Sequence, residues 1–397
     1  MRATPTLLAL TVAASTAAFA AAGADSRPKP LPSPAPAGSA QPQLAVGPGG
    51  TVYLSWLEKA DAGAHRFRFA TLAPGASAWS TPVTIHEGSG FFANWADVPS
   101  LAVTSKMIAA HWLHVSGAGK YAYDVKVRTS ADGGRTWSAP VTPHRDKTEA
   151  EHGFASFFPW PDGGDGASAG LAWLDGRTHG QMALRAARIS GDGAGEEMLV
   201  DNRVCDCCPT SAVRTSRGIA LAYRDRSADE IRDIYVSRFE DGKWSEGRVA
   251  VRDNWQIAGC PVNGPSMSAS GDRVALAWFA APESNAHVSV TFSPDGAATF
   301  GAPVRVDDGN PLGRVDAELL ADGSALVGWI EQLESGAEFR ARRVWPDGRR
   351  DEAVSVASLA ASRARGYPRI ARSGDRIVFA WVGARGVETA TLSYGAM

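Results

Sequence analysis

Short apolar runs that end in an aromatic residue punctuate this chain at near-regular intervals. They read TVYLSW to Trp56, MIAAHW to Trp112, AGLAW to Trp173, GIALAY to Tyr223, RVALAW to Trp278, SALVGW to Trp329 and RIVFAW to Trp381. Runs this short, rich in β-branched and aromatic residues, predict strands rather than helices. A second short run precedes most of them, often opened by proline (Pro42, Pro99, Pro209, Pro265, Pro368), and glycine-rich turns such as GPGG, SGDR and ADGS lie between. Those turns suit tight hairpins. After each aromatic comes a polar loop, then an alternating third run such as HRFRFATL or DIYVSRF, and in most repeats a fourth such as TPVTIH or GRVAVR.

Four strands in a meander, recurring about every fifty residues, predict an all-β chain folded as a single β-propeller. Seven blades fit the seven aromatic anchors; six remain an alternative if one terminal repeat is atypical, and a two-domain sandwich is the competing architecture. The seventh repeat lacks a fourth strand, as in a ring closed by strand exchange, but residues 28–41 read as too proline-rich to supply the partner. Length alone, 397 residues, would indicate two or three domains. The repeat reassigns residues 42–397 to one ring.

Composition removes other classes. With 40 Lys+Arg against 42 Asp+Glu and a net charge of -2, there is no basic footprint for nucleic acid. Residues 1–22 carry Arg2, an apolar run from Leu7 to Ala14 and the small-residue pattern Ala18-Phe19-Ala20, the marks of a signal peptide too short to span a bilayer. The chain is expected to be exported, to the periplasm or beyond, as a monomer without a membrane span. Residues 23–41, rich in Pro, Ala and Ser, predict an extended tether.

Between the third and fourth strands of the second repeat stands Ser130-Ala-Asp132-Gly-Gly134-Arg-Thr136-Trp137, and a degenerate copy, Ser293-Pro-Asp295-Gly-Ala297-Ala-Thr299-Phe300, holds the same place in the fifth. Asp accepts backbone N–H groups across such a turn, Gly takes positive φ, and the aromatic packs between blades. The first sequence resembles the S-x-D-x-G-x-T-W Asp-box of sialidase-like propellers. The resemblance implies an exo-sialidase type of glycoside hydrolase, with three arginines on the substrate carboxylate, a tyrosine nucleophile paired with glutamate, and an aspartate acid/base. The F/Y-R-I-P motif that brings the first arginine in that family is not found in the first repeat.

In a four-stranded meander, loops that enter blades and loops from strand two to strand three emerge on one face, opposite the Asp-boxes. That face collects Trp95, Asp97, Glu149, Glu151, His152, Trp255, Asn263, Asp307, Asp308, Asp316, Arg365 and Tyr367. Arg177, Arg224 and Arg314, with Arg232, are candidates to clamp an anionic glycan together with Asp175 and Asn263; ion pairing with Asp175, Asp225, Glu230, Asp233 and Asp316 is the alternative. Asp225 and Glu230 are candidate acid and base, and Tyr367 is the candidate nucleophile. All four cysteines fall on this face, in the loops carrying Cys205-Asp206-Cys207-Cys208 and Cys260. Disulfides are one reading; bonding adjacent Cys207 and Cys208 closes a strained ring, which leaves Cys260 to one of them. A thiolate site for copper or zinc, completed by His152 or His179, is the other.

Overall fold

The computed structural model describes residues 27–161, 166–178, 180–362 and 365–393; the leader expected at 1–22 lies outside them. Seven antiparallel sheets form a seven-bladed β-propeller. The innermost strands are Ala40–Val46, Ser100–Val103, His152–Pro159, Ser211–Thr215, Ser266–Ser270, Pro311–Leu319 and Arg369–Ser373. They surround a central channel of about 280 Å³. Outer strands are short or broken: in the second blade the fourth strand is reduced to a bridge between Val127 and Val141.

The repeating aromatics are the reason the sheets stack. Trp56, Trp112, Trp173, Tyr223, Trp278 and Trp329 are all at most 1% exposed, and truncation of such a core aromatic costs about 3–5 kcal/mol. A buried indole is stabilised when its N–H finds a partner. Trp56, Trp173 and Trp329 each donate to the acid two residues on, Glu58, Asp175 and Glu331, at 2.9, 2.9 and 2.6 Å. Alternation along a strand puts residues i and i+2 on one face, so anchor and acceptor are written together in the sequence. Asp175 therefore has a scaffold role that recurs in two other blades.

The turns at Ser130 and Ser293 close with matching hydrogen bonds. Ser130 Oγ donates to Asp132 Oδ1 (2.8 Å) and accepts from Gly134 N (2.8 Å), while Thr136 donates N–H and Oγ–H to Asp132 at 2.9 and 2.7 Å. Ser293, Asp295, Ala297 and Thr299 repeat the set within 0.1 Å. Ala297 occupies the left-handed conformation at φ 64°, where Gly134 sits at φ 92°. Trp137 packs edge-on against Phe69 of the first blade.

Ring closure corrects the tether expectation. Lys29–Leu31 is a strand, paired antiparallel with Val387–Ser393 as the outermost member of the seventh blade. Pro30 is tolerated because an outermost strand is hydrogen-bonded on one side only. The proline-rich segment is thus the missing fourth strand.

Candidate functional site

The loop face brings the predicted arginines near one another in the ring, but not onto a common ligand. Arg224, 1% exposed, donates to the carbonyls of Asn263 (2.8 Å), Arg232 (2.5 Å) and Phe279 (2.5 Å) and stacks on Trp255. Burial lowers its pKa to about 10. Arg314 stacks on Trp95 and donates to the Gly366 carbonyl at 3.1 Å, while its own N–H is received by Asn263 Oδ1 at 2.6 Å. Arg177 is taken up by Asp175 (2.6 Å) and Glu197 (2.7 Å). Arg232 donates to Glu230 at 2.8 Å and lies against Cys205 Sγ at 3.4 Å. The clamp expected of Arg177, Arg224, Arg232 and Arg314 with Asp175 and Asn263 is corrected accordingly: their polar groups hold loops together.

The predicted reactive groups are similarly distributed. Glu230 is gripped by Arg226 and Arg232, which lower its pKa to about 2, so it is no proton donor. Asp225 stays apart from that clamp; burial, with the field of Asp201, raises it to about 6. Tyr367 is 3% exposed and donates its hydroxyl to the Val262 carbonyl at 2.6 Å, and burial raises its pKa. It closes the channel mouth as a structural residue, not an activated nucleophile.

Cys205 bonds to Cys208 and Cys207 to Cys260, with Cα–Cα distances of 5.8 and 6.0 Å. Among the described residues no cysteine remains free. Thiolate binding of copper or zinc is therefore excluded in this oxidised state, and His179, offered as a completing ligand, lies outside the described residues. The second bridge ties the loop entering blade four to the loop entering blade five, and both bridges brace Asp206, which stands between their sulfurs in sequence.

Asp206 faces an open cleft of about 550 Å³ over blades two to four. Across it are Glu149 and Glu151 from the loop entering blade three, Tyr121 from the second blade and Arg226 from the fourth. Arg226 binds Asp206 with two hydrogen bonds, 3.0 and 2.9 Å. Glu151 receives the buried Tyr123 hydroxyl at 2.7 Å. Burial raises the Glu151 pKa, and the charge of Asp206 adds to the rise. Behind Tyr123, 3.4 Å from its hydroxyl, Asp97 accepts the Phe154 N–H at 2.7 Å. Burial pushes Asp97 up to about 8. Gly153 permits that approach, since a Cβ there would stand 2.1 Å from Asp97 Oδ2. The cleft thus offers one carboxyl whose pKa burial raises and one carboxylate paired with a guanidinium, the division of roles that acid–base chemistry needs.

Beside the cleft, two groups that share His152 each bring three ligand atoms within reach of an ion: Asp124, His144 and His152, and Asp146, His152 and Asp175. Burial, then the neighbouring His152, lowers the His144 pKa. Sequence reasoning assigned Glu151 and Asp206 to the loop face but gave them no role, and it missed Tyr123, Arg226, His144 and Asp146. A usable signal existed for Asp206, an acid enclosed by cysteines. None existed for the histidines, whose spacing matches no motif.

No known protein family matches the chain, and no curated protein does. Similarity to solved structures is extensive in shape. An ulvan lyase of polysaccharide lyase family PL25, bound to -[GlcA(1-4)Rha3S]-, superimposes with a TM-score of 0.59 at 12% identity, over 93% of this chain and 95% of that one. The polysaccharide lyase Uly1 gives 0.56 at 10% identity, over 91% of each. The Penicillium chrysogenum alpha-L-arabinanase complexed with arabinobiose gives 0.51 at 11%, over 93% and 98%. At these identities the likeness is one of fold.

Proposed function

We propose that this chain binds and cleaves an anionic glycan in the cleft over blades two to four, with Glu151 as proton donor and Asp206 as the facing carboxylate. The observation that carries the reading is the unlike pair itself: Glu151 raised by burial and hydrogen-bonded by Tyr123, Asp206 salt-bridged to Arg226, both lining one open cleft. Glycosidic cleavage uses two carboxyls whose surroundings separate their pKa values. Tyr121, half exposed at the rim, offers a flat apolar face to a sugar ring, and Arg226, taken up by Asp206 and Glu230, keeps the Asp206 carboxylate in place. Fold neighbours named for polysaccharide and arabinan cleavage support a glycan as ligand. Export belongs to the same proposal, since disulfides persist in oxidising compartments. Sialidase activity is its narrowest form.

Acidic polysaccharides containing uronate or sulfate, and a fluorogenic sialic-acid glycoside, are offered to the protein and to Glu151→Gln and Asp206→Asn. Turnover abolished in Glu151→Gln, with binding retained, is the expected result. Turnover indifferent to both substitutions would sink this assignment, and cleavage of the sialoside alone would select the sialidase form.

A further inference from the structure

At the junction of blades two and three, the rings of His144 and His152 stack face to face, 3.7 Å between centroids and 3° from parallel. Both are buried, at 5% and 0% exposure. Asp124 is the second residue of the strand Tyr123–Ser130, His144 and Asp146 follow the outer edge of that blade, and His152 opens the strand His152–Pro159. Topology therefore delivers all four to the loop face. Along one edge of the stack, Asp146 spans both rings: Oδ1 lies 3.2 Å from His144 Nδ1, and Oδ2 lies 3.2 Å from His152 Nε2, off the angle of a hydrogen bond. Along the other edge, Asp124 Oδ1 stands 3.7 Å from His144 Nε2 and 4.0 Å from His152 Nδ1. Those separations exceed a hydrogen bond. His144 Nε2 and His152 Nδ1 are buried without any hydrogen-bond partner.

Two buried ring nitrogens facing a carboxylate oxygen, with no hydrogen bond between them, leave desolvation uncompensated. A cation at their meeting point reverses the sign of the interaction. We propose that His144 Nε2, His152 Nδ1 and Asp124 Oδ1 bind one zinc ion. Bonds of about 2.0–2.1 Å to a tetrahedral ion place ligand atoms roughly 3.3 Å apart. Asp124 Oδ1 needs to close on the two nitrogens only by several tenths of an ångström, while the rings, parallel without the ion, must splay so that both in-plane lone pairs meet it. Lys126 Nζ holds the other Asp124 oxygen at 2.9 Å, leaving Oδ1 for the ion. Asp146 is the outer carboxylate, bonded to the far nitrogen of His144 and standing beside that of His152, and Arg177 steadies it at 3.4 Å. Asp175 stands on the opposite edge, 3.9 Å from His152 Nε2, and is occupied by Trp173 and Arg177.

Imidazole and carboxylate donors select zinc and its first-row divalent neighbours over calcium and magnesium, which require oxygen cages. Asp124 and His144 also line a cavity of about 660 Å³ together with Arg145 and Lys147. A fourth ligand, water or an anionic oxygen drawn by those two cations, has room there, as in zinc sites with three protein ligands that act on what they bind. The site is separate from the cysteines and independent of the glycan reading.

The test is metal content and affinity of the full, tag-free chain. After chelation, dialysis against zinc should return about one ion per chain, and added zinc should raise Tm by several degrees. Cobalt in its place should give the visible absorption of a tetrahedral ion. His144→Gln should weaken zinc binding at least ~100-fold, and Asp146→Asn, which leaves all three ligands in place, by roughly 10-fold. Circular dichroism of each variant checks that it folds. Binding well below one ion per chain, affinity unchanged in both folded variants, or displacement of zinc by an equal concentration of calcium would each overturn the proposal.

Discussion

Two junctions on the same face of the ring use the same residue types to opposite ends. Between blades four and five, Arg224 is buried and all three of its nitrogens reach backbone carbonyls, while a disulfide ties the adjoining loops. Between blades two and three, His152 is buried just as completely, yet neither ring nitrogen has a hydrogen-bond partner, and cavities open alongside. Burial of a polar group is thus a poor guide to role. Whether its bonding capacity is filled from within separates scaffold from site.

That contrast breaks if Arg224 proves dispensable. Arg224→Ala strands three buried carbonyls and removes the stacking on Trp255, so a loss of about 5 kcal/mol is expected in urea unfolding. A loss under ~1 kcal/mol would return Arg224 to the list of ligand-binding groups. Next in size, Cys207→Ser with Cys260→Ser opens a loop of 53 residues and should cost about 4 kcal/mol by chain entropy, read as a lowered Tm under non-reducing conditions. Smaller again is a pH effect on the other junction. Asp97 is raised to about 8 in the folded chain, against about 3.9 unfolded. Its stabilisation is complete below the unfolded value and is lost as pH rises toward 8, at up to about 1.4 kcal/mol per pH unit. Urea midpoints at pH 5 and 7.5 measure it, and Asp97→Asn should flatten the difference. Glu151→Gln should change stability least, within about 0.5 kcal/mol, while lowering turnover at least ~100-fold. Turnover in the parent should fall as pH rises through the elevated Glu151 pKa, because only the protonated form donates. An alkaline limb that survives in Glu151→Gln would assign the proton to another group.

Much of the architecture was legible because it is written locally. Anchor aromatics such as Trp173 and turn residues such as Asp132 interact with neighbours two to four positions away, and sequence displays that range directly. The closing strand was misread because proline statistics describe average strands, whereas Pro30 occupies an outermost one. Strand order alone assigns the residues of the entering loops to one face. Their roles were not legible. Nothing in a sequence states that the Arg224 guanidinium turns to carbonyls in the next blade, or that His144 stacks on His152 across a blade boundary. Cysteine pairing was partly legible: exclusion of the vicinal bond left Cys260 to Cys207 or Cys208, and it is Cys207.

The pairing of Lys29–Leu31 with Val387–Ser393 has a consequence for the order of events in the life of the chain. Thr389 Oγ1 donates to the Leu31 carbonyl across 358 positions of sequence, so the segment synthesised near the start finds its partner only when the last blade has been made. Contacts of such separation form slowly. Six blades can collapse beforehand, but the ring latches last.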